Sequence, residues 1–397
     1  MPESTLTCLD FWCKAGSASE ATGEEGIAHF LEHMVFKGSQ RLGPGQFDLR
    51  IEALGGSSNA ATGFDDVHFH ALVPPEAAAE GLDLLLDLVL EPALEADAYA
   101  MERDVVLEEI AQYRDQPDDQ VIQQLLTRCC PDQAYGRPIL GWETSLLAST
   151  PALMRRFHER RYQGSNCCLA VAGALPAGLE SRLTASAMAA LPKKDVEGGG
   201  VQRSTPLRFK AGHAAIQVPR LEAARVLMAW PAAPAEDQLA VMGMDLATTV
   251  LAEGRRSRLV QHLREELQIV ESIDMDLTVL EEGSLVMLEA CCPPDLVERV
   301  EQEVQIVLAA VAAEPIHANE LERARQLVGN GLRFSLEAPG AVAGIAGAQT
   351  LWGHSKSLLE PLIHLNHWDP ETLRTSVFSQ LQTEQAFTLV ALPGDED

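Results

Sequence analysis

Apolar and polar positions recur along this chain with two periods, and each change of period marks an element. Val67-His68-Phe69-His70-Ala71-Leu72-Val73 alternates in twos and is closed by Pro74-Pro75, so it reads as a strand with His68 and His70 on one face. Thr5 to Lys14 reads as an earlier strand, and Gly45 to Leu54 as a helix stopped by Gly55-Gly56. Between them, Gly26 to Phe36 is apolar at almost every position that is not His or Glu and holds no Pro, which predicts a buried helix. His29 and His33 stand one turn apart on it, and Glu32 lies one position short of His33.

Two imidazoles at that spacing suit Zn²⁺, and a carboxylate held beside them suits a general base. The alternative is a set of satisfied core residues. Three ionisable side chains inside one apolar helix each carry a desolvation cost of several kcal/mol unless paired or ligated, which favours the metal. His68 and His70 form a second pair, but no carboxylate or third histidine accompanies them at useful spacing in the sequence. They are expected to face solvent or a neighbouring strand.

The segment from about Leu94 to Tyr113 bears on the same question. On a helix, Met101, Val105, Ala98, Tyr113, Val106, Tyr99 and Ile110 share one apolar face, expected to be buried, with Glu102 and Glu109 in its middle and Glu108 at its edge. Buried carboxylates need a cation. Zinc on His29 and His33 would provide it, with Glu109 as third ligand and Glu102 orienting a ligand or sharing a proton; arginine or lysine partners are the alternative.

Composition narrows the class. The 397 residues suffice for two or three domains, and the formal net charge of −28 excludes a basic nucleic-acid surface. It is compatible with a basic or neutral peptide as substrate, or simply with a solvated surface. No apolar run approaches the roughly 18 residues of a membrane span, and the first residues resemble no signal or transit peptide. Cys8, Cys13 and the adjacent pairs Cys129-Cys130, Cys167-Cys168 and Cys291-Cys292 include no C-x-x-C, so they are expected to be reduced and mostly buried. A cytoplasmic location is expected.

Near the middle, the polar and Gly-rich stretch 194–204 reads as a linker between a domain at 1–193 and another at 205–397. The second half repeats the first in outline at an offset of about 220 residues: Trp12 with Ala15 matches Trp230 with Ala233, and Met101-Glu102-Arg103 matches Leu321-Glu322-Arg323. It has no metal grip of its own. Asp245 stands near the place of the first histidine, and Gly329 where the third ligand would be.

His29-Phe30-Leu31-Glu32-His33 within G-x-A-H-F-L-E-H-M-x-F-K-G, with the distant Glu109, Asn59-Ala60-x-Thr62 and Glu102-Arg103-Asp104-Val105, resembles the pitrilysin-type inverted zincins. It is most similar to the short bacterial and mitochondrial-processing-peptidase-like members. The resemblance implies His29, His33 and Glu109 as zinc ligands, Glu32 as general base and Glu102 as a supporting carboxylate. It also implies that Asn59, Ala60, Ala61 and Thr62 belong to an edge strand that takes up an extended peptide by strand addition. In the family the second half contributes an Arg and, seven residues on, a Tyr to the substrate carbonyl. Arg264 matches the Arg, but Glu271 stands in the place of the Tyr, and an ionised carboxylate cannot donate a hydrogen bond. Arg264 is alternatively a surface arginine paired with a neighbouring Glu. Members also usually open with a strand before the Trp12 region, so either the first sheet is shortened or the start is late.

The expectation is an α/β protein of the α+β type, with two homologous domains, each an antiparallel sheet covered by helices. It would act as a zinc endopeptidase on unfolded or short peptides or leader sequences, in a homo- or heterodimer with a related chain supplying Arg and Tyr. A non-catalytic structural or peptide-binding subunit is the other reading.

Overall fold

The computed structural model describes residues 1, 3–191, 206–354 and 357–394; the expected linker 194–204 lies outside them. The chain forms two units, each discontinuous in sequence. The first comprises Met1–Gln112, Pro138–Ser204 and Phe334–Lys356, and the second Tyr113–Arg137, Thr205–Arg333 and Ser357–Asp397. Each half of the sequence therefore lends a segment to the other's unit.

In the first unit β1 (Thr7–Cys13), β2 (Ser57–Thr62), β3 (Val67–Val73) and β4 (Cys167–Gly173) form one antiparallel sheet in the order β2-β3-β1-β4. Alternation decides its faces. Leu9, Phe11 and Cys13 of β1 and Val67, Phe69, Ala71 and Val73 of β3 join one core with Phe30, Leu31 and Met34 of α1 (Ile27–Val35). Residues from α2 (Gln46–Ala53), α3 (Ala78–Leu90) and α4 (Ala96–Asp115) complete it. On the opposite face the helix Pro339–Trp352 packs on β1 and β4. It comes close because it is small-sided there: a Cβ on Gly347 would lie 2.3 Å from Trp12 Nε1.

In the second unit α5 (Pro117–Cys129) packs against a sheet of β5 (Gly212–Pro219), β6 (Ala224–Ala232), β7 (Ser272–Thr278), β8 (Ser284–Cys292) and β9 (Phe387–Gly394). Its order, β5-β9-β6-β8-β7, repeats that of the first sheet read from β4 to β2, with β6 in the place of β1. The repeat inferred from the two tryptophans thus extends to strand order, since Trp12 lies in β1 and Trp230 in β6. One feature departs from the expected antiparallel pattern: β5 is an added edge strand that runs parallel to β9. Among the described residues the first sheet has four strands and the second five.

No described helix is long and apolar enough to cross a membrane. All eight cysteines are free, and seven are buried.

Candidate metal centre

The helix that carries the two histidines is fixed at its first turn. Oε1 of the buried Glu20 accepts from the backbone N–H of Gly26 at 3.0 Å and of Ala28 at 2.9 Å, satisfying donors that a helix start leaves unpaired. Gly26 enters the helix at φ 89°, and a Cβ there would meet the Leu140 carbonyl oxygen at 2.4 Å. Only glycine fits this position. From that start the apolar side of α1 enters the core, while His29, Glu32 and His33 stay partly exposed.

His29 and His33 meet one turn apart with ring centroids 4.7 Å from each other. α4 brings Glu109 to both: Oε1 lies 3.7 Å from His29 Nε2, and Oε2 lies 3.4 Å from His33 Nε2. One ligand atom from each of the three falls within 4.8 Å of the others. An ion with bonds of about 2.0–2.2 Å in tetrahedral array keeps its ligand atoms about 3.3 Å apart, so these donors stand close to the separations that zinc requires.

Protonation states fit as well. Burial, with help from His33, lowers the pKa of His29 to about 4, which leaves its imidazole neutral and able to ligate at neutral pH. Its Nδ1 is buried without a hydrogen-bond partner. His33 Nδ1 lies 2.9 Å from Oε1 of the buried Glu102, and an ionised carboxylate only accepts, so Nδ1 carries the proton and Nε2 keeps its lone pair toward Glu109. Lys37 Nζ sits 2.7 Å from the other oxygen of Glu102 and compensates its charge.

Glu32 is tied to the sheet: the hydroxyl of Thr62 on β2 donates to its Oε2. Burial raises the pKa of Glu32, while the Thr62 hydrogen bond and the neighbouring His33 oppose that shift. The net shift is upward, so the carboxylate is a stronger base than an exposed glutamate. β2 lies at the edge of its sheet, and Asn59 and Ala61 are exposed along it while Ala60 packs inward.

The buried face expected of α4 is only half covered. Tyr99, Glu102, Val106 and Ile110 are buried, whereas Met101, Val105 and Tyr113 are 67%, 47% and 49% exposed. Glu109 therefore stands at the margin of the covered stripe, with its side chain 38% exposed, and not in the middle. An apolar face about half a turn wide does not specify which part of it a neighbour will cover. Two contacts at these sites join residues far apart in the sequence. Lys37, just past the end of α1, has no local signal for its contact, because its partner Glu102 lies on α4. Asp10, which lies 3.1 Å from His68 Nδ1, supplies the carboxylate that the sequence placed nowhere near His68 and His70.

Arg264 belongs to the second unit, where its Nε and Nη2 donate to Glu265 Oε1 at 3.1 and 2.8 Å. Glu271 lies beside Cys291 there, with Oε2 3.7 Å from the thiol.

Two sheets of matching strand order, with His29 and His33 of α1 and Glu109 of α4 brought together beside the first, make a paired α+β fold that carries a candidate metal centre. Residues 3–143 match the profile described as Insulinase (Peptidase family M16), and residues 149–328 match the Peptidase M16 inactive domain. The chain belongs to peptidase family M16. It is 29% identical to an uncharacterized zinc protease of Mycobacterium leprae, over 85% of this chain and 76% of that protein. One from Bacillus subtilis is 25% identical over 99% of this chain and 95% of its own. The fold matches the crystal structure of a protease from Helicobacter pylori with a TM-score of 0.90 at 20% identity, covering 99% of this chain and 95% of that one. These likenesses support a zinc-peptidase-like role.

Proposed function

We propose that this chain is a zinc metalloendopeptidase that hydrolyses peptide bonds in unfolded peptides or leader sequences, and that it is the zinc-bearing member of a dimer. One observation carries this reading: His29, His33 and Glu109 converge within 4.8 Å, with the half-buried Glu32 on the helix that carries both histidines. A scaffold has no use for a base beside its metal. One zinc ion per chain, held by those three residues, would supply Lewis acidity toward the scissile carbonyl and the attacking water. Glu32 takes a proton from that water and returns it to the leaving amine, and Thr62 holds the carboxylate in place. Glu102 fixes the tautomer of His33. The open edge of β2, from Asn59 to Thr62, pairs with an extended substrate through main-chain hydrogen bonds, which read few side chains and suit unfolded peptides.

With Arg264 engaged by Glu265, and Glu271 where a Tyr is expected, the donors to the developing oxyanion come from a related partner chain. The eight free cysteines favour the cytoplasm as its compartment.

The test is cleavage of a mixed library of unfolded peptides by the chain alone and with candidate partners, with and without chelator. Chelator-sensitive cleavage that Glu32→Gln loses by about 10²–10⁴-fold, at unchanged zinc content, is expected. Zinc bound but no cleavage under any pairing would instead favour a non-catalytic peptide-binding subunit. Full activity of the chain alone would remove the need for a partner.

A further inference from the structure

A second set of metal-ligating side chains lies on the other face of the first sheet. In the antiparallel pairing of β1 with β3, Asp10 stands directly opposite His70, and Trp12 opposite His68. Strand alternation turns Asp10, Trp12, His68 and His70 away from the face that packs on α1. Asp10 is 2% exposed, and its Oδ1 lies 3.1 Å from His68 Nδ1. The His68 and His70 rings lie nearly parallel at 19°, with centroids 5.8 Å apart. Trp12 stacks on His68 at 4.3 Å and holds that ring in position.

One ligand atom from each of Asp10, His68 and His70 falls within 4.8 Å of the other two, the same convergence found at His29, His33 and Glu109. The 3.1 Å between Asp10 and His68 is close to the separation of about 3.3 Å between ligand atoms on a tetrahedral zinc. We propose that Asp10, His68 and His70 form a second binding site for a divalent transition-metal ion of the zinc class, separate from the centre on α1. Two imidazoles and one carboxylate are the donor set that such an ion prefers over magnesium or calcium.

Three protein ligands leave at least one position to solvent or to an added ligand. An ion there crosslinks β1 to β3 across the sheet. It also stiffens the support of β2, because Asn59 and Ala61 pair directly with His70 and His68. The competing account is a simple Asp10–His68 ion pair, which gives His70 no part.

Zinc stoichiometry separates the two accounts without reference to peptidase activity. The full chain, stripped with chelator and dialysed, is titrated with zinc by calorimetry, and bound metal is counted after gel filtration. Two equivalents are expected for the wild type, one for His70→Ala, one for His33→Ala and none for the double variant. In the His33→Ala background zinc raises Tm, and adding His70→Ala abolishes that rise. His70 is only half-buried, so its replacement leaves the core intact and avoids the folding risk of changing Asp10. One equivalent in the wild type, two retained in His70→Ala, or none left in His33→Ala would each overturn the second site. Loss of cleavage with two zinc ions bound would count against the peptidase reading alone.

Discussion

The hydroxyl of Thr62 donates a hydrogen bond to the carboxylate of Glu32, so the edge strand β2 and the histidine-bearing helix α1 are joined at the residue proposed as the base. A hydrogen bond to a charged group contributes about 1.5–3 kcal/mol. Thr62→Val is therefore expected to lower kcat by about 10–100-fold with bound zinc unchanged. Steady-state kinetics beside a metal count would check this, and an unaltered kcat would mean that Glu32 needs no such tether.

Glu102 joins His33 to Lys37, and the three act as one unit. Removing the carboxylate with Glu102→Gln, or leaving it uncompensated with Lys37→Met, loosens the orientation of His33. Zinc affinity should fall by about 10–100-fold in Glu102→Gln and by less in Lys37→Met. Competition with a chelating dye measures both, and wild-type affinity in Glu102→Gln would reduce that residue to a filler of space.

Asp245, in the second unit near the expected place of a first histidine, is half-buried, and desolvation, with the nearby Glu253, raises its pKa from 3.8 to about 6. A raised folded-state pKa means that stability is full below the unfolded value near 3.8 and is lost as the pH climbs through about 6. Asp245→Asn should thus stabilise the second unit at pH 7 by on the order of 1–3 kcal/mol, and the gain should vanish near pH 4. Thermal melts at the two pH values decide it; an equal gain at both would assign the effect to packing.

Gly347 lets the helix Pro339–Trp352 rest on Trp12, and an added Cβ would sit 2.3 Å from the indole nitrogen. Gly347→Ala is expected to destabilise the first unit by about 1–3 kcal/mol, despite the better helix propensity of alanine. A chemical denaturation series gives the sign directly.

Much of this protein is legible without coordinates, because the relevant relations are local. The spacing of His29, Glu32 and His33 along one helix, the alternation in β1 and β3, and the paired tryptophans all lie within a few residues of each other or repeat a pattern. Helix and strand periodicity fix them before the chain folds. Tertiary structure decided what depends on residues far apart in sequence. Strand register set Asp10 against His68 and His70, where the sequence shows only a histidine pair. Packing covered Tyr99, Val106 and Ile110 of α4 but left Met101 and Val105 in solvent, which moved Glu109 from the middle of a buried stripe to its margin. The exchange of segments between the halves, which brings Pro339–Trp352 onto β1, has no local signature. A side chain's own period determines the face it takes; what meets that face depends on which distant element buries the most apolar surface there.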